Sequence, residues 1–127
     1  MKRAIIGVAV LLSCTVLPVA AIFGYEAYRT RDLTAEIIAR APEIGNFHPT
    51  TLTLRKGEPA KIRIRNVDTV AHGFAIPALG VDAGEVRAGN VQTVEFVPEE
   101  TGRFLYVCTV YCGDFHFQMR GMLEVTP

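Results

Sequence analysis

Cys108-Thr-Val-Tyr-Cys112-Gly-Asp-Phe-His116-Phe-Gln-Met119 places two thiols, an imidazole and a thioether within twelve residues. A second imidazole, His72, stands upstream in Val70-Ala-His72-Gly-Phe. Thiolate and thioether are soft ligands, and imidazole suits copper as well as zinc. The methionine favours copper, because zinc sites are built from Cys, His and carboxylate. Cys112, His116, Met119 and His72 already satisfy a single-copper electron-transfer site, which takes two His, one Cys and a weak axial Met. Cys108 is then surplus. It is either a second thiolate, bridging two metals, or the partner of Cys112 in a disulfide. Two cysteines four apart at a turn can bring their Cα atoms within the roughly 7 Å a disulfide requires. A disulfide, however, gives no reason for His116 and Met119 to follow at ligand spacing.

Outward from this stretch the chain has period two. Gly102-Arg-Phe-Leu-Tyr-Val leads directly into Cys108, and Gly121-Met-Leu-Glu-Val closes the chain. Upstream, Thr51-Leu-Thr-Leu-Arg is a short alternating strand ended by the turn Lys56-Gly-Glu-Pro. Ala60-Lys-Ile-Arg-Ile-Arg alternates with Ile62 and Ile64 inward; Lys61, Arg63 and Arg65 are read as a solvated outer face. Val70 to Ile76 is an apolar run holding His72, and Gln92-Thr-Val-Glu-Phe-Val is another strand ended by Pro98. Short strands with regular turn signals and no long helix predict an all-β sandwich over residues 44–127. A domain this small gains stability from a bound metal.

The N-terminal part differs. Ala4 to Tyr25 is apolar or small throughout, uncharged, and preceded by Lys2 and Arg3. It is long enough to cross a bilayer as a helix, and the basic residues would hold the N-terminus on the cytoplasmic side. Residues 1–25 are thus read as an uncleaved transmembrane anchor. A signal peptide ending near Ala20-Ala21, or a lipoprotein box at Leu11-Leu-Ser-Cys14, are the rival readings. Glu26 to Arg40 carries alternating charges with Tyr28, Leu33, Ile37 and Ile38 at roughly helical spacing, so residues 26–43 are read as a partly helical linker. Excluding Lys2 and Arg3 leaves eleven basic against thirteen acidic residues, which does not point to nucleic acid. No Ser/His/Asp set, phosphate loop or paired carboxylates appear, so no catalytic site is assigned to the chain itself.

Cys-x3-Cys-x3-His-x2-Met is the pattern of the binuclear CuA centre. At these residues the chain resembles the CuA domains of cytochrome c oxidase subunit II and nitrous-oxide reductase, over roughly Glu43 to Pro127. The resemblance implies a cupredoxin-like Greek-key β-sandwich holding two copper ions per chain. Carried over residue by residue, Cys108 and Cys112 would bridge both coppers. His72 and Met119 would complete one metal, and His116 with the backbone carbonyl of Val110 the other. The family often has Glu where Val110 stands, but only the carbonyl is used there. Phe74, Tyr111, Phe115 and Phe117 are read as a shield against water. Asp68 and Asp114 are candidates to orient the imidazoles, and His48 is read as a loop residue.

With one candidate helix and no Trp, the layout is most similar to the short, single-helix subunit II of ba-type oxidases. His72-Gly-Phe-Ala-Ile-Pro and Met119-Arg-Gly-Met read more like nitrous-oxide reductase. The implied role is electron transfer from a periplasmic donor, such as cytochrome c or a small cupredoxin, to the haem-copper subunit I of a terminal oxidase. That places the chain in a bacterial or archaeal cytoplasmic membrane, single-pass, with its C-terminal domain outside. Two other readings use the same ligands: a free-standing protein that binds, delivers or senses copper, and a mononuclear blue-copper carrier in which Cys108 is not a ligand.

Overall fold

The computed structural model describes residues 2–30 and 33–127. The chain divides into two units, residues 1–32 and 33–127. The first is one helix, α1 (Lys2–Thr30), about 43 Å long at 1.5 Å per residue. Its stretch Ile5–Tyr28 is apolar and long enough to cross a membrane. Apolar side chains such as Leu11, Val16, Ile22 and Phe23 are exposed along it, so its described surface is largely apolar. The hydroxyls of Ser13 and Thr15 bond back to the carbonyls of Val10 and Leu11, each at 2.9 Å, so neither faces that surface unpaired. Pro18 lies within the helix without ending it.

The second unit holds eight strands: β1 (Ala35–Ala39), β2 (Thr51–Arg55), β3 (Ala60–Asn66), β4 (His72–Ile76), β5 (Val81–Val86), β6 (Val91–Phe96), β7 (Gly102–Val107) and β8 (Arg120–Thr126). They form two sheets, in the orders β1-β3-β6 and β2-β8-β7-β4-β5. Alternation decides which residues meet between them. Ile62 and Ile64 of the first sheet, and Leu52, Leu54, Leu123 and Val125 of the second, enter one buried core. The predicted all-β sandwich behind one N-terminal apolar helix is therefore the observed architecture.

Two expectations are corrected. The helical reading of Glu26 to Arg40 holds as far as Thr30, where α1 ends; Arg31 and Asp32 lie outside the described residues. From Ala35 the chain is a strand, and the folded unit begins at Leu33 rather than residue 44. β1 runs parallel to β3, with Ile37 beside Ile64, and both Ile37 and Ala39 are fully buried. Ala35, Ile37 and Ala39 are spaced for a strand, and burial against β3 outweighs their local helical pattern. The second correction follows from the first. Arg63 is not solvated but 6% exposed, because β1 sets Glu36 opposite it. The Glu36 carboxylate lies 2.9 Å from Arg63 Nη2 and 2.7 Å from Arg65 Nε.

Beneath the second sheet's ligand-bearing end lies an aromatic cluster. Phe47, Phe74 and Tyr106, all fully buried, have ring centroids 5.5–5.8 Å apart. The Tyr106 hydroxyl donates to Pro49 O at 2.6 Å. Gly121 faces Tyr106 in the β7–β8 register, and a Cβ there would collide with the ring.

Candidate metal centre

The ligand set converges because of strand direction. β4 and β8 both run antiparallel to β7, so the start of β4, the end of β7 and the start of β8 lie at one end of the sheet. His72 is the first residue of β4, Cys108 follows β7 and Met119 precedes β8. The β7–β8 ladder extends one step further, with the Cys108 N–H donating to Met119 O at 3.0 Å. Residues 109–118 loop between these ends and carry Val110, Cys112 and His116.

All six sequence-predicted donors are brought together. The sulfurs of Cys108 and Cys112 are 3.9 Å apart and unbonded. On the Cys108 side stand His72 Nδ1 at 4.0 Å and the carbonyl oxygen of Val110 at 3.1 Å. On the Cys112 side stand His116 Nδ1 at 3.6 Å and Met119 Sδ at 3.8 Å. With metal–donor bonds of about 2.0–2.3 Å, two donors on one tetrahedral ion sit roughly 3.3–3.8 Å apart. The separations of 3.6 and 3.8 Å fall in that range, and those of 3.1, 3.9 and 4.0 Å lie just outside it. The set of thiols, imidazoles and thioether is a soft one that fits copper. His72, Cys108 and Met119 are buried, whereas Cys112 and His116 are half-buried.

The protonation chemistry agrees. Burial works against the Cys108 thiolate, but the neighbouring His72 imidazole, the Gly73 N–H donating at 3.3 Å and contacts within the loop outweigh it, and its pKa is lowered. Cys112 is pushed up to about 12, by burial first and then by the neighbouring Cys108 charge. Two thiolates this close repel, so holding both ionised requires a cation between them.

Asp68 fixes the His72 ring. Burial raises its pKa, but N–H groups of Ala41 and Thr69, and His72 itself, bring it below the usual carboxylate value. An ionised carboxylate only accepts, so His72 Nε2, 3.1 Å from Asp68 Oδ2, carries the proton. Nδ1 then presents its lone pair to the thiols, an arrangement typical of metal-bound histidine. Burial lowers the His72 pKa, and bonds to Cys108 and Asp68 more than reverse this. The fully buried Asn66 supports the corner, its Nδ2 donating to Val70 O and Val86 O and its Oδ1 accepting from the Asp68 N–H.

Of the two candidate orienting acids, only Asp68 reaches an imidazole; Asp114 is exposed. The aromatic shield is also corrected. Phe74 is buried in the core, but Tyr111, Phe115 and Phe117 are 72%, 47% and 86% exposed. Loop residues on the outer side of a small domain have no further layer to cover them. Tyr111 and Phe117 flank the His116 ring, with centroids at 5.8 and 5.2 Å. His48, read as a loop residue, makes an isolated backbone bridge to Ile38. Gly73 is a further residue of the site, outside the donor motif. A Cβ on it would meet Thr109 Oγ1 and the backbone nitrogens of Thr109 and Val110, so the ligand loop rests directly on β4. The sequence signal was there, a Gly beside a ligand in a strand, which marks close backbone approach.

The family described as cupredoxin-like domain matches residues 10–125. Nitrous-oxide reductase of Cupriavidus necator is 32% identical over 98 residues, covering 75% of this chain and 15% of that protein. Cytochrome c oxidase subunit 2 of Thermus thermophilus is 28% identical over 79 residues, covering 62% of this chain and 57% of that protein. The matched region is therefore a small part of the former relative and just over half of the latter. Among solved structures, a chain of a heme-copper terminal oxidase dimer aligns with 98% of this chain and 99% of its own length, at TM-score 0.62 and 20% identity. The periplasmic domain of subunit II of cytochrome oxidase of Bradyrhizobium japonicum aligns at TM-score 0.58 and 19% identity, covering 75% and 84%. These last two are likenesses of fold.

Proposed function

We propose, from the premise that this chain belongs to the cupredoxin-like family, that it is a membrane-anchored electron-transfer subunit with a binuclear copper centre of the CuA kind. It would take electrons from a periplasmic donor such as cytochrome c or a small cupredoxin and pass them to the haem-copper subunit of a terminal oxidase. The observation that carries the reading is the pair of thiols 3.9 Å apart with a further imidazole and a further donor on each side. A one-copper site built on Cys112 would not need the Cys108 sulfur within 4.8 Å of both the His72 imidazole and the Cys112 sulfur.

Bound copper would supply a one-electron couple. Cys108 and Cys112 would be shared by both ions, His72 and Met119 would hold one, and His116 with the Val110 carbonyl the other. The chain contributes rigidity. Three of the donors stand on or directly beside strand ends above a packed aromatic core, and Asp68 holds one imidazole in a single tautomer. Donors that do not move keep the reorganisation accompanying electron transfer small. The exposed Tyr111, Phe115 and Phe117 around His116 offer a partner an apolar face at the edge of the centre. The apolar helix supports anchoring, and relatives that are oxidase subunits support the assignment to an oxidase.

The test is electron paramagnetic resonance on the copper-loaded full chain in detergent, with copper counted per chain. Two coppers and hyperfine splitting from two equivalent nuclei are expected. One copper with single-nucleus splitting would overturn the binuclear reading in favour of a blue-copper carrier.

A further inference from the structure

The segment between β1 and β2 reaches both halves of the metal centre. The Ala41 N–H donates to Asp68 Oδ2 at 2.8 Å, behind His72. Asn46 Nδ2 donates to the carbonyl of Gln118 at 3.0 Å, a bond spanning 72 residues. Gln118 stands between His116 and Met119, in the short 3₁₀ turn His116–Gln118. The turn's own bonds are local: His116 N–H to Gly113 O, Gln118 N–H to Phe115 O and Met119 N–H to His116 O. So short a turn has little stability of its own.

Asn46 is built to serve as a tether. Its φ is 59°, the only positive φ on a non-glycine residue among those described, and Asn tolerates that region better than most residues. Its N–H donates to Ala41 O and its carbonyl accepts from the Arg40 N–H. Its Oδ1 accepts the Phe47 N–H at 2.7 Å, and the Phe47 ring is locked in the aromatic cluster beneath the site. One side chain thus joins the ligand turn on one side to a core anchor on the other.

We propose that Asn46 is a positioning residue for the metal centre, its amide donor holding the His116–Met119 turn in place against the core through Phe47. This rests on the copper reading above. The two donors it would position lie 3.6 and 3.8 Å from Cys112 Sγ, whereas His72 is held independently by Asp68. Loss of the tether therefore touches His116 and Met119 and spares His72.

The experiment compares the copper-loaded full chain with Asn46→Asp and Asn46→Gly. Asp keeps the acceptor for the Phe47 N–H and tolerates the backbone conformation, but presents a second acceptor to the Gln118 carbonyl. Gly keeps the backbone and removes the side chain. Both variants are expected to take up copper at wild-type stoichiometry and to lose it to a chelator roughly tenfold faster. The paramagnetically shifted proton resonances of His116 and Met119 should move while those of His72 stay. Unchanged resonances and release in both variants would overturn the inference. So would a change in the Asp variant alone, which is an effect of added charge, or in the Gly variant alone. A wild type that takes up no copper overturns this inference together with the proposed function; a loaded wild type with unchanged variants overturns this inference alone.

Discussion

Gly73→Ala tests whether the close seating of the ligand loop on β4 is required. An added Cβ would lie 2.8 Å from the Thr109 nitrogen and 2.9 Å from the Val110 nitrogen, and closer still to Thr109 Oγ1. Backbone atoms at such distances must shift. The Ala N–H could still donate to Cys108 Sγ, so the damage is displacement rather than loss of a donor. Overpacking of this kind costs about 1–3 kcal/mol, and each kcal/mol lowers the midpoint of a domain this size by roughly 4–8 °C. Because the displaced residues are the two that follow Cys108, copper uptake should fall together with stability. Thr109→Ala separates the parts: it removes the hydroxyl in the way but leaves the two backbone nitrogens. The double variant should recover only a fraction of the loss in both thermal melting and copper content. Full recovery would mean that the side-chain clash is the whole effect. A Gly73→Ala chain with unchanged melting and copper stoichiometry would refute the close-approach argument.

Asp68→Asn should reduce stability by about 1–3 kcal/mol in urea titration and copper affinity by roughly 10- to 100-fold in chelator competition. Asp68 Oδ2 accepts from Ala41 and faces His72 Nε2 while Oδ1 accepts from Thr69, so either orientation of an amide sets donor against donor. Tyr106 predicts an alkaline limit. Burial pushes its pKa from 10.0 up to about 12, so between these values the unfolded chain releases a proton that the folded chain keeps, and stability falls as pH rises. At pH 11 the loss relative to pH 9 should exceed that of Tyr106→Phe by about 1 kcal/mol; equal losses in denaturant titration would show that the phenol is not the source. Phe117→Ser, on a side chain 86% exposed, should leave the copper spectrum unchanged and slow electron transfer from the donor protein several-fold in stopped flow. An unchanged rate would place docking elsewhere.

The candidate donors stand out because five of the six fall within the twelve residues from Cys108 to Met119, a stretch dense in soft side chains. The strands carrying them were legible through alternation. What escaped the sequence reading depends on partners far along the chain. β1 shares its surroundings with β3, twenty-seven residues away at Ala35 and Ile62, and nothing local shows that Ile37 will face Ile64. The burial of Arg63 follows from the same pairing. Asn46 looks like an ordinary turn residue until the Gln118 carbonyl is placed beside it. Asp68 and Asp114 are alike as candidates in the sequence, and only the fold brings the first to His72 and leaves the second exposed. The expected aromatic shield fails differently: Tyr111 and Phe117 do lie against the His116 ring, but on the outer side of a small domain nothing covers them in turn, so they stay exposed.

These gaps share a physical origin. A short motif can supply donors, but it cannot hold them, because a loop of ten residues between two strand ends has many conformations and loses entropy in choosing one. The holding comes from outside the motif. Gly73 lets the loop rest on β4, and the Cys108–Met119 backbone bond closes its two ends. Asp68, itself tied to Ala41 and Asn66, fixes the His72 imidazole from behind. Phe47, Phe74 and Tyr106 give all of this a packed floor. A centre whose donors are set before the metal arrives needs little rearrangement when its charge changes, which is the property an electron-transfer site requires. It follows that substitutions at the five side-chain donors should cost most in copper uptake, whereas substitutions at the polar supporting residues Asp68 and Asn46 should leave copper bound but alter its release and its spectra. Gly73→Ala, which displaces the ligand loop itself, should lower uptake as well.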